Sequence, residues 1–383
     1  KATIDLNGKF VMPGLWDNHV HFRGGEDLIQ ENKDLLPLYL KYGITTVRDA
    51  GGDITPAVME WNEAIASGKL KGPNIFTSGP KIDGANPAWE GSIKVTNAEE
   101  VKLALDSLQG LNVDYVKMYD GSLSKKMFYE IIKQAEQLGL KTTGHMPMDG
   151  DIIEAYDYGL DGSEHMYYIL KACADIPDSV RDLNLGYGVL TYVLENYDNT
   201  MANKTFQKLA SRPFFVTPTL YIGKTLSELA EVDHSADSIL TYIGEGIQKT
   251  YDRRLQQAIR AKENGNNSRG EVNKQFRKMI RPMYNAGIYI MAGSDCGASN
   301  SFVYPGQSLI GELQQLVASG LTPQEALTTS VINGPIFFDL DDYYGSVSSG
   351  KVADLLILKS NPLEDIDNVL SKEFVILRGK KID

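Results

Sequence analysis

Cysteine is almost absent: Cys173 and Cys296 in 383 residues are too few for a disulfide framework and lack zinc-knuckle spacing. They leave the redox compartment, and with it the cellular location, open. Basic residues are outnumbered, with 38 Lys and Arg against 50 Asp and Glu, a formal net charge of -12. That balance works against sequence-independent attraction to nucleic acid or an anionic membrane, so neither is an expected partner. No uninterrupted apolar run approaches a membrane span. No charged-then-apolar secretion signal opens the chain, although a trimmed chain would lack one anyway. Histidine is scarce too, with five residues, and where they fall is the informative feature.

The length allows one large barrel or two ordinary domains with a sizeable core. Residues 1–13 read as two short strands about an Asn7-Gly8 hairpin turn. Further strand signal lies at Ala353–Lys359 and Glu373–Arg378. Residues 1–13 and 345–383 are therefore expected to form a small β-sandwich domain, and residues 14–344 the main body. In that body short apolar segments alternate with helical ones, the pattern of a parallel sheet built from βα units. The strand candidates are Leu15–Phe22, Ile44–Asp49, Asn74–Ser78, Tyr115–Tyr119, Lys141–His145, Gly162–Met166, Phe214–Leu220 and Ile288–Ser294. Eight of them predict an α/β fold of the (β/α)8 TIM barrel type. Thr96 to Glu99 and Thr322 to Glu325 have the form of capping boxes, and Asn333-Gly334-Pro335 is expected to stop the second helix. The polar tract from Ile222 to Asn285 is expected to be helical, with a loop over residues 264–270 and His234 facing solvent.

Polar residues at the C-terminal ends of barrel strands point into the active site. His19 and His21 end the first strand; their His-x-His spacing puts both on one face, where they can grip one metal. Lys117 lies in the fourth strand, His145 ends the fifth, His165 lies in the sixth and Asp295 ends the eighth. Each has a bland alternative: a satisfied core histidine, or an aspartate capping a helix. Four of five histidines at strand ends favour a metal site, and imidazole with carboxylate suits zinc and its first-row neighbours. Lys117 either snorkels or pairs with Asp114 or Asp120, or is desolvated enough to add carbon dioxide and become a carbamate able to bridge two ions.

The chain resembles the amidohydrolase superfamily, specifically its binuclear members with a carboxylated lysine. The motifs that carry the resemblance are Met12-Pro-Gly-Leu-Trp-Asp-Asn-His-Val-His21, Gly43-Ile-Thr-Thr-Val-Arg-Asp-Ala-Gly-Gly52, Gly159-Leu-Asp-Gly-Ser-Glu-His165, Leu321-Thr-Pro-Gln-Glu-Ala-Leu327, Gly345–Leu358 and Asn361-Pro-Leu-Glu-Asp365. It implies that His19, His21 and Asp295 bind a more buried ion, that His145 and His165 bind a more exposed one, and that carboxylated Lys117 bridges two divalent ions, zinc being expected. The prolidase-like and imidazolonepropionase-related branch is the most similar. Such members normally carry further strands before the His-x-His segment, so a trimmed chain or a differently assembled small domain is expected. Many also have a tyrosine shortly after the fifth-strand histidine, where this chain has Met146-Pro147.

The expected function is hydrolysis of an amide bond in a small substrate such as an Xaa-Pro-like dipeptide or an N-acyl amino acid, with Asp295 as ligand and proton shuttle. Tyr119, Tyr221 and Arg48 are candidate substrate contacts, Arg48 alternatively pairing with an aspartate. The loops at residues 80–89 and 297–304 are long enough to overhang the mouth. A homo-oligomer is expected. The alternatives are a mononuclear deaminase of the same superfamily and a catalytically dead barrel kept for assembly.

Overall fold

The structure, a computed structural model, describes residues 3–382 apart from 182 and 184. It is a mixed α/β fold. The described strands are β1 (Phe10–Pro13), β2 (Leu15–Val20), β3 (Ile44–Asp49), β4 (Asn74–Thr77), β5 (Ile82–Asp83), β6 (Ile93–Lys94), β7 (Val116–Met118), β8 (Thr142–Gly144), β9 (Gly162–Glu164), β10 (Phe215–Thr217), β11 (Tyr289–Ile290), β12 (Leu355–Leu358), β13 (Lys372–Leu377) and β14 (Lys380–Ile382). All eight body strands foreseen from the sequence are present, most of them shorter than expected. The seventh stops because Leu220 opens the helix Leu220–Glu228, and the eighth keeps only two paired residues.

Every residue of β2 and β3 is buried, as expected where a parallel sheet is covered on both faces. β2, β3 and β4 pair in parallel, as do β7 with β8 and β9 with β10 and β11. Backbone hydrogen bonds connect these groups. Asp114 N–H donates to Thr77 O (2.9 Å), Asp161 N–H to Thr142 O (3.2 Å) and Asn18 N–H to Ala292 O (2.9 Å). Helices cover the outside. Lys125–Gln137 shows why, since Phe128, Ile131, Ile132 and Ala135 fall on one stripe and turn inward.

The chain ends meet in one sheet of order β1-β12-β13-β14. This corrects the expected sandwich, which needs two sheets. It also corrects the expected N-terminal hairpin: the Asn7-Gly8 turn forms, with φ of 49° and 77°, but residues 3–6 stay irregular. Among the described residues β1 pairs only with β12, and none of them forms a second arm beside it. A hairpin forms instead at the other end, where Arg378 and Gly379 take the two positive φ values that a type I′ turn requires.

Two further expectations differ from the structure. Asn97, not Thr96, caps the helix Ala98–Gly110, its side chain accepting from Glu99 and Glu100 N–H, while Thr96 bonds Glu100. The helix Pro323–Val331 stops just before Asn333-Gly334-Pro335, as expected, and those residues open a separate short helix, Asn333–Phe337, after a break at Ile332. His234 does not face solvent; its ring stacks on Phe302 at 4.5 Å and its Nδ1 lies 2.9 Å from Asp237. The capping box at Thr322 and Glu325 forms as expected. No described helix is long and apolar enough to cross a membrane.

Gly293 sits where the last body strand passes β2. A Cβ there would lie 2.6 Å from Thr217 Cγ2 and 2.9 Å from the backbone nitrogen of His19. Gly293→Ala should therefore cost roughly 1–3 kcal/mol of stability, read as a lower urea midpoint at unchanged slope.

Candidate functional site

The floor of the site is built on Glu164, the last residue of β9, which is fully buried. Its Oε1 lies 2.8 Å from Arg48 Nη2 and accepts from Thr143 Oγ1 at 2.9 Å. Its Oε2 lies 2.6 Å from His19 Nδ1. Burial alone would push this carboxyl up, but Arg48, Lys117 and His19 outweigh it and hold it well below the ordinary glutamate value. Arg48 also donates from Nε to Asn18 O (2.6 Å) and from Nη2 to Thr217 Oγ1 (2.9 Å). It has no exposed surface, and its Nε and Nη2 are bonded within the frame while Nη1 lacks a partner, so the structure places it beneath the site rather than at its open side, against the expectation of a substrate contact.

Above this floor the imidazoles share one orientation. Each Nδ1 faces outward: His19 to Glu164, His21 to the carbonyl of Gly51 (2.9 Å), and His165 to Thr219 Oγ1 (2.5 Å). The Nε2 atoms face inward. Those of His19 and His21 are 3.3 Å apart, and Asp295 Oδ1 lies 3.2 Å from the His21 atom and 3.6 Å from the His19 atom. Asp295 Oδ2 lies 3.8 Å from His165 Nε2. Burial lowers the pKa of all three histidines, which favours neutral rings. His19, His21 and Asp295 offer ligand atoms all within 4.8 Å of one another.

His145 stands further out. Its ring is 4.7 Å from that of His165, and its Nδ1 is 3.5 Å from Asp120 Oδ1. Asp120 in turn accepts from Tyr187 OH at 2.7 Å. Lys117, on β7, is fully buried with its Nζ 3.8 Å from Glu164 Oε1 and no hydrogen-bond partner. Its pKa falls to about 8, chiefly through burial, with Glu164 opposing and Arg48 adding to the effect. His165 and Asp295 hold φ of 61° and 55°, left-handed values that non-glycine residues rarely take. Such conformations persist only where surrounding bonds over-determine them. Asp295 has those bonds: its N–H donates to His19 O at 2.7 Å, and its Oδ1 accepts from Asn300 Nδ2 at 2.8 Å.

The sequence profile of the Amidohydrolase family matches residues 10–382. The chain belongs to the amidohydrolase family. An ochratoxinase of Aspergillus niger is 24% identical over 412 aligned positions, covering 93% of this chain and 71% of that protein. Among solved structures, the bottromycin amidohydrolase superposes with a TM-score of 0.76 at 20% identity, covering 98% of this chain and 77% of that one. An Xaa-Pro dipeptidase with bound methionine gives 0.69 at 20% identity, covering 100% and 91%. At these identities the structural likeness speaks to fold.

Within this amidohydrolase-family chain, the six residues singled out from strand ends converge. Tyr119 joins them, its ring 4.4 Å from that of His145. Tyr221 is placed elsewhere: its ring presses on Gly311 and its N–H donates to Glu312 Oε2 at 2.7 Å. Asp120, expected as a possible partner of Lys117, faces His145 instead. Sequence reasoning missed Glu164 as the hub, although it directly precedes His165, and missed Thr219 and Tyr187. Adjacency to a histidine was the one signal for Glu164; the others carry none.

Arg48→Met should destabilise the fold by roughly 3–5 kcal/mol at neutral pH, because it leaves the Glu164 charge buried with a partner missing. A carboxyl with a depressed pKa stabilises above its unfolded value, near 4.5, and that contribution is lost as pH falls. The gap between Arg48→Met and the unaltered chain should thus narrow below that pH, as measured by urea unfolding across a pH series.

Proposed function

We propose that the chain is a metal-dependent hydrolase of the amide bond in a small substrate, a dipeptide or an N-acyl amino acid, working from a (β/α)8 barrel over residues 14–344. The barrel reading rests on the parallel strands and on the backbone bonds that link one group to the next, Asn18 to Ala292 among them. The small sheet from the chain ends would be a separate domain. Amide chemistry is supported by the family and by the names of the relatives, which include an Xaa-Pro dipeptidase and the bottromycin amidohydrolase.

The observation that carries the reading is the convergence of His19, His21, His165 and Asp295, with the buried, unpartnered amine of Lys117 beside them. This donor set fits divalent cations, zinc first: neutral imidazoles tied through Nδ1 leave Nε2 as ligand atoms, an arrangement that outer-shell bonds reinforce. His19, His21 and Asp295 would hold one ion, His145 and His165 a second. A buried lysine with a lowered pKa favours the neutral amine, which could add carbon dioxide with loss of a proton, and the resulting carbamate would supply a carboxylate ligand to the ions. Bound divalent ions supply Lewis acidity and lower the pKa of a water. The chain does the rest. Asp295, kept as carboxylate and aimed by Asn300, takes a proton and delivers it to the leaving nitrogen. Tyr119, beside His145, lies where a substrate oxygen would be met.

One observation favours the mononuclear deaminase as a second reading: among the described residues, only His19, His21 and Asp295 form a tight group on their own. Metal analysis separates the two. Two ions per chain and a 13C carbamate resonance after 13C-bicarbonate are expected; one ion and an unmodified Lys117 would favour the deaminase. Asp295→Asn should lower kcat by at least about 100-fold, within the usual contribution of a positioned proton-transfer group. The assay is amino acid released from dipeptides and N-acyl amino acids, and undiminished turnover would remove the shuttle.

A further inference from the structure

The wall beside His145 holds donors without an acceptor. Arg23 is 4% exposed, and its Nε donates to Ala298 O at 2.7 Å. Its guanidinium lies over the Trp89 ring, 4.0 Å from the centroid. Arg23 Nη2 is buried without a partner, and the buried Trp89 Nε1 has no partner in good hydrogen-bond geometry, the Tyr119 hydroxyl being the polar group beside it. Lys81 Nζ lies 5.3 Å from the same ring, and donates to the Gly51 carbonyl that also meets His21 Nδ1. Both cations thus spend their hydrogen bonds on carbonyls rather than carboxylates. The Trp89 ring is 6.2 Å from that of Tyr119, which is 4.4 Å from that of His145. In a chain of net charge -12, buried cations gathered on one wall are not a consequence of composition.

A buried guanidinium with an open Nη and a neighbouring indole N–H matches a planar oxyanion that accepts from both. We propose that Arg23 and Trp89 form the subsite for a carboxylate on the substrate, on the His145 side of the cluster, with Lys81 adding charge behind them. The proposal rests on the hydrolase reading for the rest of the substrate and assigns to Arg23 the role that Arg48 cannot fill. Neutral amides of the same shape would then be poor ligands, because binding them leaves the guanidinium without its anion.

The test uses the full metal-loaded chain with two probes, N-acetyl-L-phenylalanine and its carboxamide, in binding calorimetry and in an assay for the released amine. The acid is expected to bind at least about tenfold tighter than the carboxamide. That preference should collapse towards unity in Arg23→Gln with metal content unchanged, and fall part of the way in Trp89→Phe, which keeps the ring and removes the N–H. Trp89→Phe also serves should Arg23→Gln fail to fold. Equal binding of the two probes, binding of neither, or a preference that survives both substitutions would overturn the subsite. Acid-selective binding without released phenylalanine would instead remove the hydrolase reading and leave the subsite standing.

Discussion

The architecture of the site depends on one buried carboxylate. Glu164 takes an ion pair from Arg48, a contact from His19 Nδ1 and a hydroxyl from Thr143, so a single side chain ties β9 to β2, β3 and β8. A carboxylate with no exposure is tolerable only when its lone pairs are filled and its charge is matched. Arg48 supplies the match and is itself locked by Asn18 and Thr217. An arginine near a strand end therefore belongs to the frame of the site.

On that frame the histidines are oriented from behind. Filling each Nδ1 with a carboxylate, a carbonyl or a hydroxyl turns the Nε2 atoms toward Asp295. Exposure follows the same order. His19, Lys117 and Glu164 are wholly buried, while His21, His165 and Asp295 retain 6%, 9% and 8% exposure. The inner groups set pKa and orientation, and the outer ones meet what enters. The left-handed backbones of His165 and Asp295 place both residues at this boundary, where the chain leaves the strands.

Much of this was legible in the primary structure. Short apolar segments located the body strands because a strand buried on both faces must be apolar almost throughout. His-x-His spacing put His19 and His21 on one side of β2 for the same geometric reason. The errors share a cause as well. The N-terminal hairpin failed because a turn signal does not provide the partner strand its second arm needs. The Thr96 cap failed because neighbouring threonine and asparagine offer near-equal local options. Tyr221 was placed on a strand exit, but Leu220 already begins a helix that turns the ring onto Gly311.

What the chain by itself determined is the identity of the chemistry-bearing groups and the elements that carry them, since periodicity, spacing and residue type are local properties. Tertiary structure alone decided which of those groups are free to act. Arg48 and Arg23 are the same residue type near strand ends; one is wholly buried and paired with Glu164, more than a hundred positions away, and the other forms no ion pair with a carboxylate among the described residues and keeps slight exposure. Pairing of that kind depends on which strands become neighbours, and desolvation, which sets the charge state of Lys117 and Glu164, exists only once the surrounding layers have closed over them.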